Sequence, residues 1–343
     1  MIGRSLAAVL LAGTLAAPGV AAAAVSGAMA SGSGAGPSKA GEHAVLADAN
    51  AALQSGEADK ALSLIQSLPG GGIDNAEAEN LTCRVQFTMG QWDPAIRACQ
   101  RAIELDPRYS GNHLWMGRAL GEKADKASFV NAFTLSKRVL AEFQLAAQLD
   151  PRNGEALSDL GEFYLEAPGL VGGGLQKAES VAEELDRVDP VRAAELRAGI
   201  ARQRGDYGQA EDDLNKALAI SRHPARQWAT LARFYAARGR WSNMEDAVRN
   251  CAAAESRDPH AAVALYDAAG VLIKVKRDPE MAIKLLQDYL ASPDKTEEAP
   301  AFVACVRLAR LRQQQGDAAN AQVAMSEAYE LAHEYRPLQD LRR

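Results

Sequence analysis

The stretch GQWDPAIRACQRAIELDP, residues 90–107, decides the fold, because a related pattern returns at residues 205–220 as GDYGQAEDDLNKALAI. Each copy starts with a turn glycine and an aromatic residue, and two alanines follow in the next predicted helix. Similarity that recurs at a fixed period is typical of repeat proteins, in which each unit packs only on its neighbours. The pattern therefore predicts a stack of helix pairs.

The repeat extends over most of the 343 residues, and the spacing from Ala61 to Ala95 gives its basic period of 34 residues. Insertions lengthen this period in three or four places, among them one around residues 121–130 and one at YLEAPGLVGGGLQKA, residues 164–178. Alignment of one position in each predicted second helix gives eight units, at Ala61, Ala95, Val139, Ala178, Ala210, Met244, Ala282 and Ala321.

Three units close on ELDP, QLDP and RVDP, at Pro107, Pro151 and Pro190, and WATLARFYAARGRW at residues 228–241 has a Trp, Leu, Tyr and Gly in ordered positions. With these motifs the chain resembles the tetratricopeptide repeat family over about residues 44–334. The resemblance implies an all-α fold, a right-handed α-solenoid of about eight helix pairs. Residues 145–174 resemble more narrowly a group of exported bacterial members of unknown function that carry an APG-L/I-VGG insertion.

The charge balance argues against one class of partner. The net charge is -6, whereas a protein that follows nucleic-acid phosphates needs a strongly basic stripe. We therefore expect no nucleic-acid partner.

The amino terminus has the pattern of an export signal, with Arg4, an apolar run at residues 6–17 and small residues near Ala23. We expect cleavage to leave a soluble chain that begins between about Ala24 and Ser31, in the periplasm or secreted. The alternative is an uncleaved membrane anchor, for which this alanine-rich run is a poor candidate. The predicted organisation is a signal peptide at 1–24, a flexible Gly/Ser/Ala linker at 25–41 and the solenoid at 42–343.

The loop GLVGGG, residues 169–174, contains Gly169, Gly172, Gly173 and Gly174 and invites comparison with a phosphate-binding loop. It lacks the Gly-Lys-Ser/Thr ending of that motif, so we predict a structural turn that could also contact a partner. No spacing of histidines or cysteines predicts a metal site, and no nucleophile–base arrangement can be placed. We therefore expect no cofactor, no metal and no enzymatic activity.

Four cysteines would meet an oxidising compartment after export. Cys83 and Cys99 fall on the two predicted helices of one unit, so an antiparallel hairpin could bring them into a disulfide. The alternative is that all four, with Cys251 and Cys305, are small buried packing residues.

One position of the predicted first helices holds Arg84, Arg118, Glu162, Arg233 and Arg310, and Arg202 lies on the same type of helix. In the family such positions face the concave surface, although the family's clamp for carboxyl-terminal carboxylates is not reproduced here. The stripe is either an ordinary solvated face or a groove for an acidic or extended peptide. If the stripe is a peptide groove, alanine at Arg118 and Arg233 should weaken capture of the partner at least tenfold and leave helicity and thermal unfolding nearly unchanged.

Together these features predict a non-enzymatic adaptor, scaffold or assembly factor that binds a polypeptide in its concave groove. The alternative is a carrier or structural module for a non-protein ligand such as cell-wall glycan. An aromatic-lined groove would favour that alternative, but Trp115 and Trp228 fall near apolar positions and are predicted to be core residues.

Overall fold

The structure, a computed structural model, describes residues 39–258 and 261–341, which form eight helix pairs and a short final helix. The first helices are α1 (Lys39–Gln54), α3 (Ala76–Thr88), α5 (Ser110–Asp125), α7 (Gly154–Glu166), α9 (Pro190–Gln203), α11 (Pro224–Ala237), α13 (Val263–Val275) and α15 (Ala301–Gln314). The second helices are α2 (Ala58–Gln66), α4 (Trp92–Leu105), α6 (Phe129–Leu149), α8 (Leu175–Leu185), α10 (Tyr207–Ile220), α12 (Trp241–Glu255), α14 (Pro279–Ala291) and α16 (Ala318–Leu331), and α17 (Arg336–Leu341) follows. The predicted α-solenoid is confirmed.

Small side chains let neighbouring helices approach closely, both within a pair and between adjacent pairs. All eight aligned residues of the second helices are buried, none more than 7% exposed. In the first helices, a Cβ added at Gly117 would lie 2.4 Å from the Phe143 ring, and one at Gly161 would lie 2.4 Å from Leu196. Larger residues there would push the helices apart, which explains why the repeat keeps small residues at these places.

Polar caps set where many helices begin. The side chains of Asp189, Asp206, Asp278 and Asp317 each accept a backbone N–H from the first turn of the helix that follows. This satisfies a donor that the helix itself leaves free.

The insertions of the third and fourth units have a local explanation. In the third unit α6 extends over 21 residues, so the additional residues of this unit lengthen its second helix. In the fourth unit a short 3-10 turn, Gly169–Val171, separates α7 from α8. Both insertions therefore lengthen a pair without interrupting the stack.

The solenoid closes on itself. Leu46 and Leu53 of α1 share one hydrophobic cluster with Phe302 and Val306 of α15 and with Ala328 of α16. The first pair thus packs against the last, and the inner surface formed by the first helices is enclosed.

Gly56 makes this closure sterically feasible. Its φ is +76°, and a Cβ at this position would lie 2.4 Å from the backbone nitrogen of Ala301. Near this contact, Asp59 accepts hydrogen bonds from the backbone N–H of His333 at 2.9 Å and from its ring at 2.7 Å. A side chain at residue 56 would separate the two ends of the solenoid.

The first described helix starts earlier than the predicted solenoid. Residues Lys39, Ala40 and Gly41, assigned above to the linker, belong to α1. The predicted signal peptide and the remainder of the linker lie outside the described residues, so export stays a prediction.

Cys83 and Cys99 form a disulfide between α3 and α4, with Cα atoms 5.1 Å apart. Cys251 and Cys305 are free and buried, and burial raises the pKa of the Cys305 thiol to about 12. A thiol whose pKa is raised in this way is a poor nucleophile for exchange.

Reduction of the Cys83–Cys99 bridge should lower the free energy of unfolding. The bridge closes a separation of 16 residues, and a loop of this size contributes about 3 kcal/mol by constraining the unfolded chain. Urea unfolding with and without reductant measures the loss, and the Cys83→Ala/Cys99→Ala variant should not respond to reductant. Peptide mapping of the unreduced protein that finds both thiols free would contradict the bridge.

Candidate functional site

The inner wall of the solenoid is built from one face of each first helix. On α7 the spacing of Glu155, Asp159, Glu162 and Glu166 puts four carboxylates on that face. The neighbouring helices contribute arginines, so the wall carries both signs of charge in an enclosed space.

Arg118 lies at the centre of this wall and is 4% exposed. Its Nε donates to Asp159 at 2.6 Å, its Nη2 donates to Glu155 at 3.2 Å, and its guanidinium lies 4.7 Å from the centre of the Trp115 ring. The expectation that Arg118 can be replaced without loss of stability is therefore wrong, because its removal would leave a buried carboxylate without its cation.

Arg84 holds a segment of the chain itself. We call residues 292–300, SPDKTEEAP, the acidic segment. Arg84 donates from Nε and Nη2 to the two oxygens of Glu297, at 2.9 and 2.5 Å. Such two-point pairing orients the carboxylate as well as attracting it.

Gln54 of α1 contacts the same residue twice. Its amide Nε2 donates to Glu297 Oε1 at 3.1 Å, and its Oε1 accepts the backbone N–H of Glu297 at 3.2 Å. The inner wall therefore contacts the main chain and the side chain of the acidic segment together.

Glu298 pairs with the far side of the wall. Arg226 of α11 donates from Nη2 to Glu298 at 3.2 Å. Burial raises the pKa of Glu298 to about 7 despite the attraction of Arg226. The acidic segment thus bridges α3 and α11 through two adjacent carboxylates.

The other predicted groove residues keep more solvent contact. Arg202 donates to Glu166 at 3.0 Å and its side chain is 44% exposed, while Arg233 lies 3.8 Å from Asp267 and is 41% exposed. Arg310 is exposed on α15. Arg202 and Arg233 each pair with a neighbouring first helix yet keep exposed side chains, so their charges remain accessible to a partner.

Glu162 and Glu195 lie where burial disfavours a charged carboxylate. Burial raises the pKa of Glu162 well above its usual range, and the nearby charges of Asp159 and Glu195 add to the effect. Burial likewise raises the pKa of Glu195. The inner wall therefore has a local excess of carboxylates that its arginines do not fully offset.

A cavity of about 200 Å³ lies between the wall and the acidic segment. Glu122, only 7% exposed, lines it and has a pKa raised by burial, and Arg307 lies 4.0 Å from the centre of the Tyr266 ring. The cavity is smaller than the roughly 300 Å³ at which drug-sized pockets begin, so it fits one side chain or one sugar ring. Its aromatic lining consists of Phe87, Trp92, Trp115, Tyr266 and Tyr335.

The two tryptophans predicted to be core residues differ. Trp228 packs on the core formed by the later repeats. Trp115 packs on the core of the earlier repeats but also lines the cavity, so the prediction is incomplete for this residue.

The glycine loop uses its own donors. The N–H groups of Gly172, Gly173 and Gly174 donate to the carbonyls of Gly169, Pro168 and Tyr164. A Cβ at Gly173 would collide with the Ala167 carbonyl, and Gly172 has a φ of +106°, so the glycines are needed for the turn. These three N–H groups are engaged within the turn and are therefore not offered to a phosphate.

Within residues 39–258 and 261–341, no group of three or more histidine, cysteine, aspartate or glutamate residues is placed to hold a metal ion. No helix in these ranges has both the length and the apolar character needed to cross a membrane.

Sequence reasoning found Arg84 and Arg118 but missed their partners. Asp159 and Glu155 had a usable signal, since they share a helical face with the predicted Glu162. Arg226, Glu297 and Glu298 had no such signal, because the acidic segment reaches the wall only after the solenoid closes.

No protein-family model matches the chain. Among curated proteins, Superkiller complex protein 3 from Mus musculus is 25% identical over 283 residues, which is 70% of this chain, and the chain spans only 17% of that protein. A thermophilic TPR protein from Thermus thermophilus is 20% identical, with 52% of this chain and 91% of that chain covered and a TM-score of 0.44. The pilF structure of Pseudomonas aeruginosa is 17% identical, with 79% and 98% covered and a TM-score of 0.36.

The assignment rests on the eight helix pairs, each with its small buried residue at the repeat position. The described residues have the fold of a tetratricopeptide solenoid. Stacked helical repeats form extended concave surfaces, and in this chain the first helices supply the inner wall.

Replacing Arg118 with alanine should lower the free energy of unfolding by about 3–5 kcal/mol, the usual cost of breaking a buried ion pair. The affected carboxylate, Asp159, has a side chain only 3% exposed. Arg233→Ala is the matched control and should cost less than about 1 kcal/mol, because its pair is long and solvated. Urea unfolding of both variants decides the matter, and equal small losses would contradict the buried pair.

Thermal stability should increase as the pH falls from 8 to about 5. The raised pKa values of Glu162, Glu195 and Glu298 mean that the folded chain binds protons before the unfolded chain does. Above the pKa of the folded state these carboxylates are charged, and burying the charges destabilises the fold. This destabilisation disappears as the pH falls toward the pKa of an ordinary carboxyl group. Pairing with Glu142 raises the pKa of His113, whose stabilising effect is likewise lost as the pH rises.

Melting curves by circular dichroism at constant ionic strength measure this slope. Glu162→Gln should flatten it, whereas the same change at the exposed Glu330 should not. A melting temperature that decreases steadily as the pH is lowered from 8 to 5 would contradict the prediction.

Proposed function

We propose that the protein is an exported, non-enzymatic adaptor or scaffold whose inner surface binds a polypeptide partner. The observation that carries this proposal is that the inner wall already holds a polypeptide: Gln54 and Arg84 contact the backbone and side chain of Glu297. A surface that recognises both parts of a residue suits an extended chain better than a rigid small molecule.

The accessible charges of the inner surface support the same proposal. Arg202 and Arg233 lie on different first helices, and their side chains stay 44% and 41% exposed although each pairs with a neighbouring helix. A partner carboxylate or carbonyl could replace these contacts, and a charge-assisted hydrogen bond contributes about 1.5–3 kcal/mol when partly shielded. The cavity would take one anchoring side chain of the partner, as buried pockets at interfaces do.

Export is part of the proposal and rests on the amino-terminal pattern of Arg4, an apolar run and small residues. The disulfide between Cys83 and Cys99 is in keeping with an oxidising compartment. The non-enzymatic part rests on a different ground, since sequence reasoning found no nucleophile and base that could work together.

The aromatic lining of the cavity favours a second candidate, a carrier or structural module for a glycan. Several ring faces, however, are already covered by cations of the chain: Arg118 lies over Trp115, Lys126 over Trp92 and Arg307 over Tyr266. Sugar stacking would have to displace these cations, so the polypeptide reading is preferred.

The test is capture of partners from an extract of the exported fraction, with identification by mass and measurement of the dissociation constant for the purified partner. Arg202→Ala/Arg233→Ala should weaken binding at least tenfold, because two charged contacts are lost from the inner surface. The matched control is Arg249→Ala, an exposed arginine on a second helix that pairs within its own helix.

Unchanged affinity in the double variant would remove the inner surface from the proposal. Capture of glycan fragments, with a change in tryptophan fluorescence and no protein partner, would favour the second candidate.

A further inference from the structure

We propose that the acidic segment, residues 292–300, is an intramolecular ligand that occupies the partner site and is displaced by a partner segment with two adjacent carboxylates. This inference rests on the proposed function, because it names the chemistry of the partner for the same inner surface. The segment occupies the site in the free protein, and its sequence indicates which chemical groups the site recognises.

The contacts of the segment are those of a bound peptide. Two consecutive residues, Glu297 and Glu298, reach arginines on opposite parts of the wall, Arg84 and Arg226. The two arginines belong to α3 and α11, so neither contact is local to the connection between α14 and α15.

The length of the segment exceeds what the connection needs. It spans the nine residues between Ala291 and Ala301, as many as residues 67–75 between α2 and α3, whereas α10 is joined to α11 by residues 221–223 alone. A connection longer than its structural task requires is commonly a functional one.

The fit of the segment is incomplete. The Thr296 hydroxyl oxygen is buried without a hydrogen-bond partner among the described residues. A buried polar atom without a partner carries a desolvation cost, which a competing segment with another residue there would avoid. The carboxyl-terminal end of the segment is fixed, because Ala299 is buried in the core and its carbonyl accepts the Tyr289 hydroxyl. The part that a competitor can displace is therefore the stretch that carries Thr296, Glu297 and Glu298.

The wall offers further charge to a competitor. Within the described ranges, Arg307 forms no ion pair, and its guanidinium lies on the Tyr266 ring beside the cavity. An acidic partner could use this cation in addition to Arg84 and Arg226, whereas a basic partner would meet three arginines.

The experiment uses the full exported chain and a synthetic blocked peptide with the sequence SPDKTEEAP. In the variant Glu297→Gln/Glu298→Gln the internal segment loses both charges but keeps its length. This variant should bind the peptide at least tenfold more tightly than the wild type does, as measured by calorimetry. The peptide SPDKTQQAP should not bind to either protein.

The matched control is Glu183→Gln/Glu184→Gln, which neutralises two adjacent exposed carboxylates on the second helix α8. It should behave as the wild type does. Circular dichroism checks that each variant is folded, and Glu298→Gln alone, which keeps the Arg84–Glu297 pair, serves if the double variant does not fold. This single variant should show the same preference with a smaller gain.

Absence of peptide binding to folded variants would overturn the proposal, since the segment would then be a fixed part of the wall. Equal binding to the wild type and the variants would also overturn it, because the site would then be open. The inference fails separately from the proposed function: a partner that depends on Arg202 and Arg233 but does not compete with the peptide would refute the inference alone. Peptide binding without any protein partner would refute the proposed function alone.

Discussion

Packing of the first helix pair against the last is the constraint on which the rest of the structure depends. A solenoid needs only contacts between neighbours, so the cluster that joins Leu46 and Leu53 to Phe302 and Val306 is an additional, long-range contact. Gly56 permits it by letting the backbone pass next to Ala301. Without this contact the inner surface would be a groove open at both ends. With it, the first helices surround that surface.

Enclosure changes the chemistry of that wall. On an open helix face, Glu162 and Arg118 would be solvated and would contribute little to stability. Once enclosed, the carboxylate has a raised pKa, and the guanidinium must be paired with Asp159. The same residues therefore become structural determinants because of a contact made elsewhere, between the ends of the chain.

Much of the fold could be predicted from the sequence, because the repeat is local. The spacing that includes Ala95 and Ala210 determines how each helix packs on its neighbour, and these residues are buried as expected. The proximity of Cys83 and Cys99 could likewise be anticipated from one hairpin. The candidate site was only half predictable, since the pair Arg84–Glu297 joins residues 213 positions apart and depends on closure, which no periodicity records.

The pairing within the wall also limits what a partner can gain. A carboxylate that binds Arg84 must first replace Glu297, so its affinity reflects the difference between two similar contacts. A single acidic side chain gains little from such an exchange. A segment that also contacts Arg307 or fills the cavity gains contacts for which the chain supplies no competitor, and these contacts decide specificity. Closure and internal pairing together therefore favour a partner that matches several positions of the wall at once.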